Sequence, residues 1–248
     1  MKPKILLFDI ETAPLLSENW GFYEQTALRV MRASYLISFA YKWLGDKSVR
    51  AYSHLNCAGK SVKDDKRRVK KLWELFNQAH VVVAHNGRDF DVKMAMAYFV
   101  HNGLPPPRPF KIVDTKLVAK RHFRFYSNKL DELAAYLGIG RKYPTGGIDL
   151  WFQCMAGNRQ ALKKMVTYNK HDVVLLEEVY LRLRPFMDVH PNYNIMLGRV
   201  TACPNCGGHT LQARGFHVTR VTKAQRYQCQ NCGAWSHGKP QQLGIELR

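Results

Sequence analysis

The sequence predicts an α/β layered domain followed by a small, separately organised C-terminal module. Three observations carry this. Apolar strands dominate the first part of the chain and amphipathic helices the rest. The 248 residues suffice for one substantial core and at most a small appendage. The tail from about Thr201 is Gly-rich, Cys-paired and nearly without Asp or Glu. The expected division is a main domain at residues 1–190, a linker at 191–200 and the tail module at 201–248, with the change of character around Pro191–Gly198.

In chain order, Ile5 to Phe8 is a buried strand. Leu36–Trp43 and Ser48–Tyr52 form two more, joined by the hairpin turn Leu44-Gly45-Asp46-Lys47. Ser61–Gln78 reads as a helix opened by the capping-box pair Ser61 and Asp64. Its apolar stripe is Val69, Leu72, Trp73 and Phe76. His80–Ala84 is a β-branched strand. The loop His85-Asn86-Gly87 leads to a helix from about Asp89 to Asn102, stopped by Gly103 and three prolines. Ile112 and Val113 make a short strand ending at Asp114. Helices follow at Thr115–His122, Asn128–Leu137 and about Asn158–Arg184, the last closed by Pro185.

Lys and Arg outnumber Asp and Glu two to one, a formal charge of +19. Such an excess repels itself unless a polyanion offsets it, and phosphate backbones are the commonest such partner. No apolar run of about 18 residues spans a membrane. The opening Lys2-Pro3-Lys4-Ile5-Leu6-Leu7-Phe8 has the look of a secretory signal, but Asp9 and Glu11 cut its apolar stretch below the roughly 7–15 residues a signal needs. The expected location is cytoplasmic. Among the basic segments, Lys66, Arg67, Arg68, Lys70 and Lys71 read as a solvated helix face. The run Lys120-Arg121-His122-Phe123-Arg124-Phe125-Tyr126 interleaves cations with aromatics, which suits gripping a single strand. Trp20, Phe22 and Tyr23 are candidates for a groove border.

Several carboxylates stand where apolar side chains are expected. Asp9 and Glu11 lie two apart at the end of the first strand, so both project to one face. Met165, Tyr168, Asp172, Leu176, Val179 and Leu183 form one helical stripe, which puts Asp172 toward the core. Asp91 shares a face with Met94, Ala95 and Tyr98, where helix-dipole capping is an equally good account. A carboxylate facing a core costs several kcal/mol unless a cation meets it. An all-oxygen set of this kind suits Mg²⁺ or Mn²⁺, and two such ions about 3.5–4 Å apart clamp the attacking and leaving oxygens of a phosphodiester.

Phe8-Asp9-Ile10-Glu11-Thr12, then His85-Asn86-Gly87-Arg88-Asp89-Phe90-Asp91, then Tyr168-Asn169-Lys170-His171-Asp172 resemble, in order, the three exonuclease motifs of the DEDD superfamily. That superfamily includes the proofreading exonuclease domains of DNA polymerases and RNase D. Val113-Asp114-Thr115 and Ser127-Asn128-Lys129-Leu130-Asp131 resemble helix-opening segments of the same family. The resemblance implies a ribonuclease H-like fold, a mixed β-sheet flanked by helices, and metal-dependent 3′→5′ removal of nucleotides from DNA or RNA. In the Tyr-type subclass a tyrosine precedes the final Asp by four positions, as Tyr168 does; the His-type position holds Thr167. The implied roles are Asp9 bridging two Mg²⁺ or Mn²⁺ ions, Glu11 and Asp172 completing the first site, Asp91 holding the second and Tyr168 orienting the attacking water. Thr12, Asn86, Asn128 and Lys129 in these segments, with Arg121 and Arg124 nearby, are the candidate substrate-binding residues. The rival readings are a structure-specific endonuclease on the same fold and a non-catalytic nucleic-acid-binding module.

Cys203-Pro204-Asn205-Cys206-Gly207 and Cys229-Gln230-Asn231-Cys232-Gly233 are two paired-thiolate turns. Their spacing suits a tetrahedral structural Zn²⁺ in a ribbon, and four cysteines fill the shell without His209, His217 or His237. Cys57 and Cys154 are left as free thiols. Arg214, Arg220, Lys223, Arg226, Phe216, Tyr227 and Trp235 form a set able to grip phosphates and stack bases. Docking of a partner protein through the ribbon, or a purely stabilising role for it, stands as an equal alternative.

Overall fold

The computed structural model describes residues 3–21, 23, 26–198 and 201–242. Lys2 and Phe22, named above, lie outside them, as do the start of the expected main domain (1–2), the end of the linker (199–200) and the end of the tail module (243–248). The architecture is the predicted one: a mixed sheet flanked by helices, then a small β module around four cysteines.

The first strand, β1 (Ile5–Thr12), is the centre of the sheet. A small hairpin follows, β2 (Leu16–Glu18) with β3 (Arg29–Arg32), which the sequence reading missed. Trp20 and Tyr23 are exposed in its connection. Strand β4 (Leu36–Trp43) pairs antiparallel with β1, and β5 (Arg50–Ser53) pairs antiparallel with β4. Helix α1 (Lys66–Phe76) precedes β6 (Val81–Ala84), which runs parallel to β1. Helix α2 (Asp91–His101) leads to β7 (Lys111–Asp114), parallel to β6. The sheet order is therefore β5-β4-β1-β6-β7. Helices α3 (Thr115–His122), α4 (Leu130–Tyr136), α5 (Asp149–Met155) and the long α6 (Arg159–Leu183) complete the domain. The sequence reading did not anticipate α5.

Strand periodicity divides the core in two. Leu6, Phe8 and Ile10 of β1 pack with Val69, Leu72 and Phe76 of α1 and Val92, Ala95 and Phe99 of α2. Ile5 and Leu7 face the other way, against Val118 of α3, Leu133 of α4 and Val173, Leu176 and Val179 of α6. By the same alternation, Asp9 and Glu11 continue the row that faces α6. The predicted α6 stripe of Met165, Tyr168, Asp172, Leu176, Val179 and Leu183 is buried along its whole length.

The expected helix over 61–78 begins only at Lys66, and Ser61 caps nothing. Asp64 accepts instead from the amides of Lys60 and Lys66, and Asp65 accepts from Leu36 N at 2.8 Å. Arg68, expected on the solvated face with its basic neighbours, is 0% exposed. Its guanidinium donates to the carbonyls of Leu36, Cys57 and Val62, which ties the loop before α1 to the entry of β4. Three backbone acceptors offset the cost of burying the cation; the helical spacing alone did not reveal them.

After α6 a 3₁₀ turn (Arg184–Phe186) leads to α7 (Tyr193–Leu197), capped by Asn192 and ended by Gly198 in the left-handed region. Helix α7 lies inside the expected linker. Strands β8 (Leu211–Val218), β9 (Thr222–Cys229), β10 (Trp235–His237) and β11 (Gln241–Gln242) form the tail sheet, with β8 on one edge of β9 and β10 and β11 on the other. Asn205 fastens the tail module to the main domain by donating to the carbonyls of Arg184 and Met187. Among the described residues no helix is long and apolar enough to cross a membrane.

Two half-buried histidines tie loops to this frame. His85 donates from Nε2 to the Asn128 carbonyl, and its Nδ1 lies 2.9 Å from the Thr115 hydroxyl. His190 accepts from the Tyr180 hydroxyl and donates to the Pro191 carbonyl. Burial lowers both to a pKa of about 4. Both therefore contribute stability above pH ~6.5 that is lost as pH falls toward ~4, about 1.4 kcal/mol per unit of depression for each. We expect the thermal-unfolding midpoint of a His190→Gln, His85→Gln double variant to fall less, or rise more, than that of the wild type as pH drops through that window. Equal pH profiles for wild type and variant would remove these residues from the account.

Candidate metal centre and cysteine cluster

The ladder between β1 and β6 covers only Ile5–Leu7, so β1, still paired with β4, runs on past β6 with that edge open. Asp91, the first residue of α2, fills the space thus opened, and its Oδ1 accepts from Ile10 N at 3.4 Å. The loop that delivers it is closely determined. Asn86 adopts φ 67°, in the left-handed region that Asn tolerates better than most residues. A Cβ on Gly87 would lie 2.3 Å from the Ala84 Cβ, so only glycine fits there. Asp114 caps α3 and also accepts from the amides of Asn86 and Arg88, which pins the loop to the end of β7.

On the α6 face, one carboxylate oxygen from each of Asp9, Glu11 and Asp172 lies within 4.8 Å of the others. Asp91 is outside that set, yet its charge is second only to burial among the causes that raise Asp9. Asn169, fully buried one residue beyond Tyr168, donates to Asp9 Oδ2 at 2.6 Å and to the Asp9 carbonyl. Its own oxygen accepts from the Ser38 hydroxyl on β4. Asn169 thus orients Asp9, a role the sequence reading did not assign although Asn169 lies within the third motif.

Lys142 was also missed. It comes from the loop between α4 and α5, and its Nζ donates to Asp172 Oδ2 at 2.6 Å and to the Tyr168 hydroxyl at 3.0 Å. No periodic element carries it, so sequence spacing held no signal for it. Burial pulls the Lys142 ammonium down, but the Asp172 charge and hydrogen bonds to Asp172 and Tyr168 outweigh this and leave it above its ordinary value. Trp151 of α5 packs edge-on against Tyr168 and hydrogen-bonds Glu11.

Burial and mutual repulsion dominate the electrostatics. Asp9 is held protonated well above the carboxylate range by burial, then by Asp91, Glu11 and Asp172. Glu11 is raised to about 8 by burial and the Asp172 charge, and Asp91 to about 7 chiefly by burial. Asp172 is raised by burial, with Lys142 opposing. Its Oδ1 is buried and has no hydrogen-bond partner among the described residues. An orphaned carboxylate oxygen amid an all-oxygen donor set fits a hard divalent cation.

The remaining sequence candidates separate. Asn86, Asn128 and Lys129 line one pocket with His85, Lys116 and Lys142, and Lys142 connects that pocket to Asp172. Lys116 Nζ donates to Asn86 Oδ1. Thr12 ends β1, just past a bulge that follows Glu11. Arg121 is held by Asp188 at 2.7 Å, and Arg124 is exposed. Within the basic-aromatic run, Phe123 and Phe125 pack against the core, while Tyr126 is exposed.

In the tail, the sulfurs of Cys203, Cys206, Cys229 and Cys232 all lie within 4.8 Å of one another. Cys203 to Cys232 and Cys206 to Cys229 are both 3.7 Å. A tetrahedron with 2.3 Å metal–sulfur bonds has edges of about 3.8 Å, whereas a disulfide would bring sulfurs to about 2.05 Å. Gly207 and Gly233 take φ 73° and 80° behind the two Cys pairs, and their amides donate to the carbonyls of Cys203 and Cys229. The cluster fits Zn²⁺.

No curated protein matches the chain. Among solved structures, the family B DNA polymerase from the hyperthermophilic archaeon Pyrobaculum calidifontis is similar at 15% identity and a TM-score of 0.49, over 89% of this chain and 32% of that polymerase. A family model of the RNase H superfamily matches residues 6–184, a span that runs from β1 through α6 and includes all four acids. On that match, over well more than half its length, the chain belongs to the RNase H superfamily.

Proposed function

We propose that the protein is a metal-dependent 3′→5′ exonuclease of the DEDD type, Tyr subclass, that hydrolyses phosphodiester bonds at single-stranded 3′ ends of DNA or RNA. Membership in the RNase H superfamily supports a nuclease-type function. The observation that carries the finer reading is the convergence of Asp9, Glu11 and Asp172 from two elements, with Asp91 beside them, at positions buried enough to keep acids protonated. Without a cation, four acids at such positions only cost stability. Asp9, Glu11, Asp172 and Asp91 would hold the Mg²⁺ or Mn²⁺, which would supply charge neutralisation at the attacking and leaving oxygens of the phosphodiester.

The chain's own groups complete the site. Asn169 fixes the Asp9 carboxylate. Tyr168 is raised by burial and the Asp172 charge, so its hydroxyl stays protonated and serves as a donor that orients the attacking water. Lys142 holds that hydroxyl from the side and is a positive charge beside the reacting phosphate. Asn86, Asn128 and Lys129, with Lys116, line the pocket adjoining Lys142 and would take the terminal nucleotides; Thr12, Arg121 and Arg124, which lie outside that pocket, are assigned to the strand further out. We assign residues 1–190 to the nuclease domain, 191–200 to the connection and 201–248 to a zinc ribbon holding one structural Zn²⁺.

The test is digestion of 5′-labelled linear DNA and RNA oligonucleotides and of circular single strands, with and without Mg²⁺ or Mn²⁺. We expect a metal-dependent ladder that shortens from the 3′ end and is absent on circles. Cutting of circles would replace this reading with an endonuclease, and silence on every substrate with a binding role. Tyr168→Phe is expected to slow cleavage by about 100-fold without abolishing it, the lower end of what a positioned acid–base group contributes; an unchanged rate would remove Tyr168 from the site.

A further inference from the structure

The tail sheet has two faces, and register decides which side chains share them. Paired residues in antiparallel strands project to the same side. Gln212 and His217 of β8, Ala224, Arg226 and Gln228 of β9, and Trp235 and His237 of β10 therefore form one face. The sequence reading had grouped Phe216, Lys223 and Tyr227 with Arg226 and Trp235; register puts those three on the opposite face.

The first face is organised around aromatic rings. Trp235 is 48% exposed, and the Arg226 guanidinium lies 5.0 Å from its ring centre. The rings of His217 and His237 stack at 4.9 Å and 9° across the strand between them, where Ala224 is small enough to let them meet. Arg214, exposed at the β8 bulge, offers its carbonyl to Arg226 Nε. Trp235 also borders a groove against the main domain, where Arg182, Arg184 and Phe186 line the other wall. The buried Nε of Arg184 has no hydrogen-bond partner among the described residues. Glu178 is the single acid among the residues lining the groove. Residues 201–242 hold five Lys or Arg and no Asp or Glu, so the module stays positive after the −2 of a Cys₄ zinc site is counted.

We propose that this face and the adjoining groove are a second nucleic-acid contact that binds a single polynucleotide strand, bases stacking on Trp235 and phosphates meeting Arg226, Arg214 and Arg182. Exposed aromatic surface interleaved with unpaired-by-acid cations suits a strand whose bases are free to stack. A protein partner would have to bring its own acids to satisfy the same cations. The contact is remote from the carboxylates: Arg184 ends α6 twelve residues beyond Asp172, about 18 Å by helical rise. Its contribution is grip on the strand, not hydrolysis.

The experiment is fluorescence anisotropy of labelled 20-residue oligo-dT and oligo-rU with the full chain, over a salt series, without added Mg²⁺ or Mn²⁺ and without chelator so that zinc stays bound. We expect Trp235→Ala and Arg226→Gln each to weaken binding by about fivefold or more, the lower end for one stacked base. Arg226→Gln should also flatten the salt slope by about 0.7. Trp235→Phe should restore most of the affinity, and Lys70→Gln, which removes one exposed charge on α1, should bind like wild type. The dT and rU arms report whether the strand's sugar matters. Zinc content is measured for each variant; where Trp235→Ala loses zinc, Arg226→Gln and Arg214→Gln decide. Unchanged affinity and slope in zinc-retaining variants overturns the proposal in favour of protein docking, and an equal loss in Lys70→Gln overturns it in favour of diffuse charge. Because no cleavage is involved, a chain that binds through this face but never cuts keeps this inference and loses only the exonuclease reading.

Discussion

Asp9→Asn and Asp172→Asn are each expected to abolish cleavage, by about 10³-fold or more, while oligonucleotide affinity stays within a few-fold of wild type. On the proposed reading, several kcal/mol of charge stabilisation at the reacting oxygens would depend on these two carboxylates, and each 1.36 kcal/mol is a factor of ten in rate. Asn keeps the volume of Asp, so Asn169 in the first variant and Lys142 in the second still find an oxygen to meet. Asp9→Asn carries a second signature. Burial and then the charges of Asp91, Glu11 and Asp172 raise Asp9 in the folded state, so the metal-free protein loses stability as pH rises from the ordinary carboxylate range toward the raised value. Removing that charge should therefore raise the metal-free unfolding midpoint at pH 8, and much less at pH 4.5. A variant that is inactive yet more stable has lost function without losing fold. Retained cleavage in either variant would end the assignment of these acids to the reaction.

Replacing Cys206 or Cys229 with Ser is expected to empty the ribbon of zinc and unfold it. Its core consists of the four cysteines with Ala234 and Leu211, too little apolar surface to hold a fold. Zinc binding in comparable modules is worth roughly 10–16 kcal/mol. The main domain should persist, because its three apolar clusters are built from other residues and the tail meets it through the Asn205 hydrogen bonds, about 1 kcal/mol each. Metal analysis should fall from one zinc per chain to none, and limited proteolysis should trim the variant to a stable fragment ending near residue 190. Full zinc content, or protease resistance equal to wild type, would show that the thiolates do not hold this module together.

Much of the fold was legible because it rests on periodicity. β1, β4, β6 and α6 announce themselves by runs and stripes of apolar residues, and burial follows those patterns in the structure. Asp9, Glu11 and Asp172 were legible for the same reason, since they interrupt patterns that otherwise demand apolar side chains, whereas Asp91 entered the set through the resemblance of its motif. The β2–β3 hairpin and α5 are short, with Val30, Met31 and Phe152 exposed, so they left no clear amphipathic signal. Arg68 was misread because a cation among cations at helical spacing looks solvated; its three carbonyl acceptors come from segments up to 32 residues away.

What the sequence determined by itself was the layered α/β class, the pairing of four cysteines and the presence of acids on core-facing positions, all consequences of local residue type and spacing. Only the tertiary structure decided how those acids meet. The early end of the β1–β6 ladder makes room for Asp91, Asn169 turns Asp9, and Lys142 reaches Tyr168 and Asp172 from a loop with no period. The same holds for the ribbon, where register sorts its cations and rings onto two faces. Such contacts join residues dozens of positions apart, and their geometry depends on chain closure and strand pairing, which no local pattern encodes.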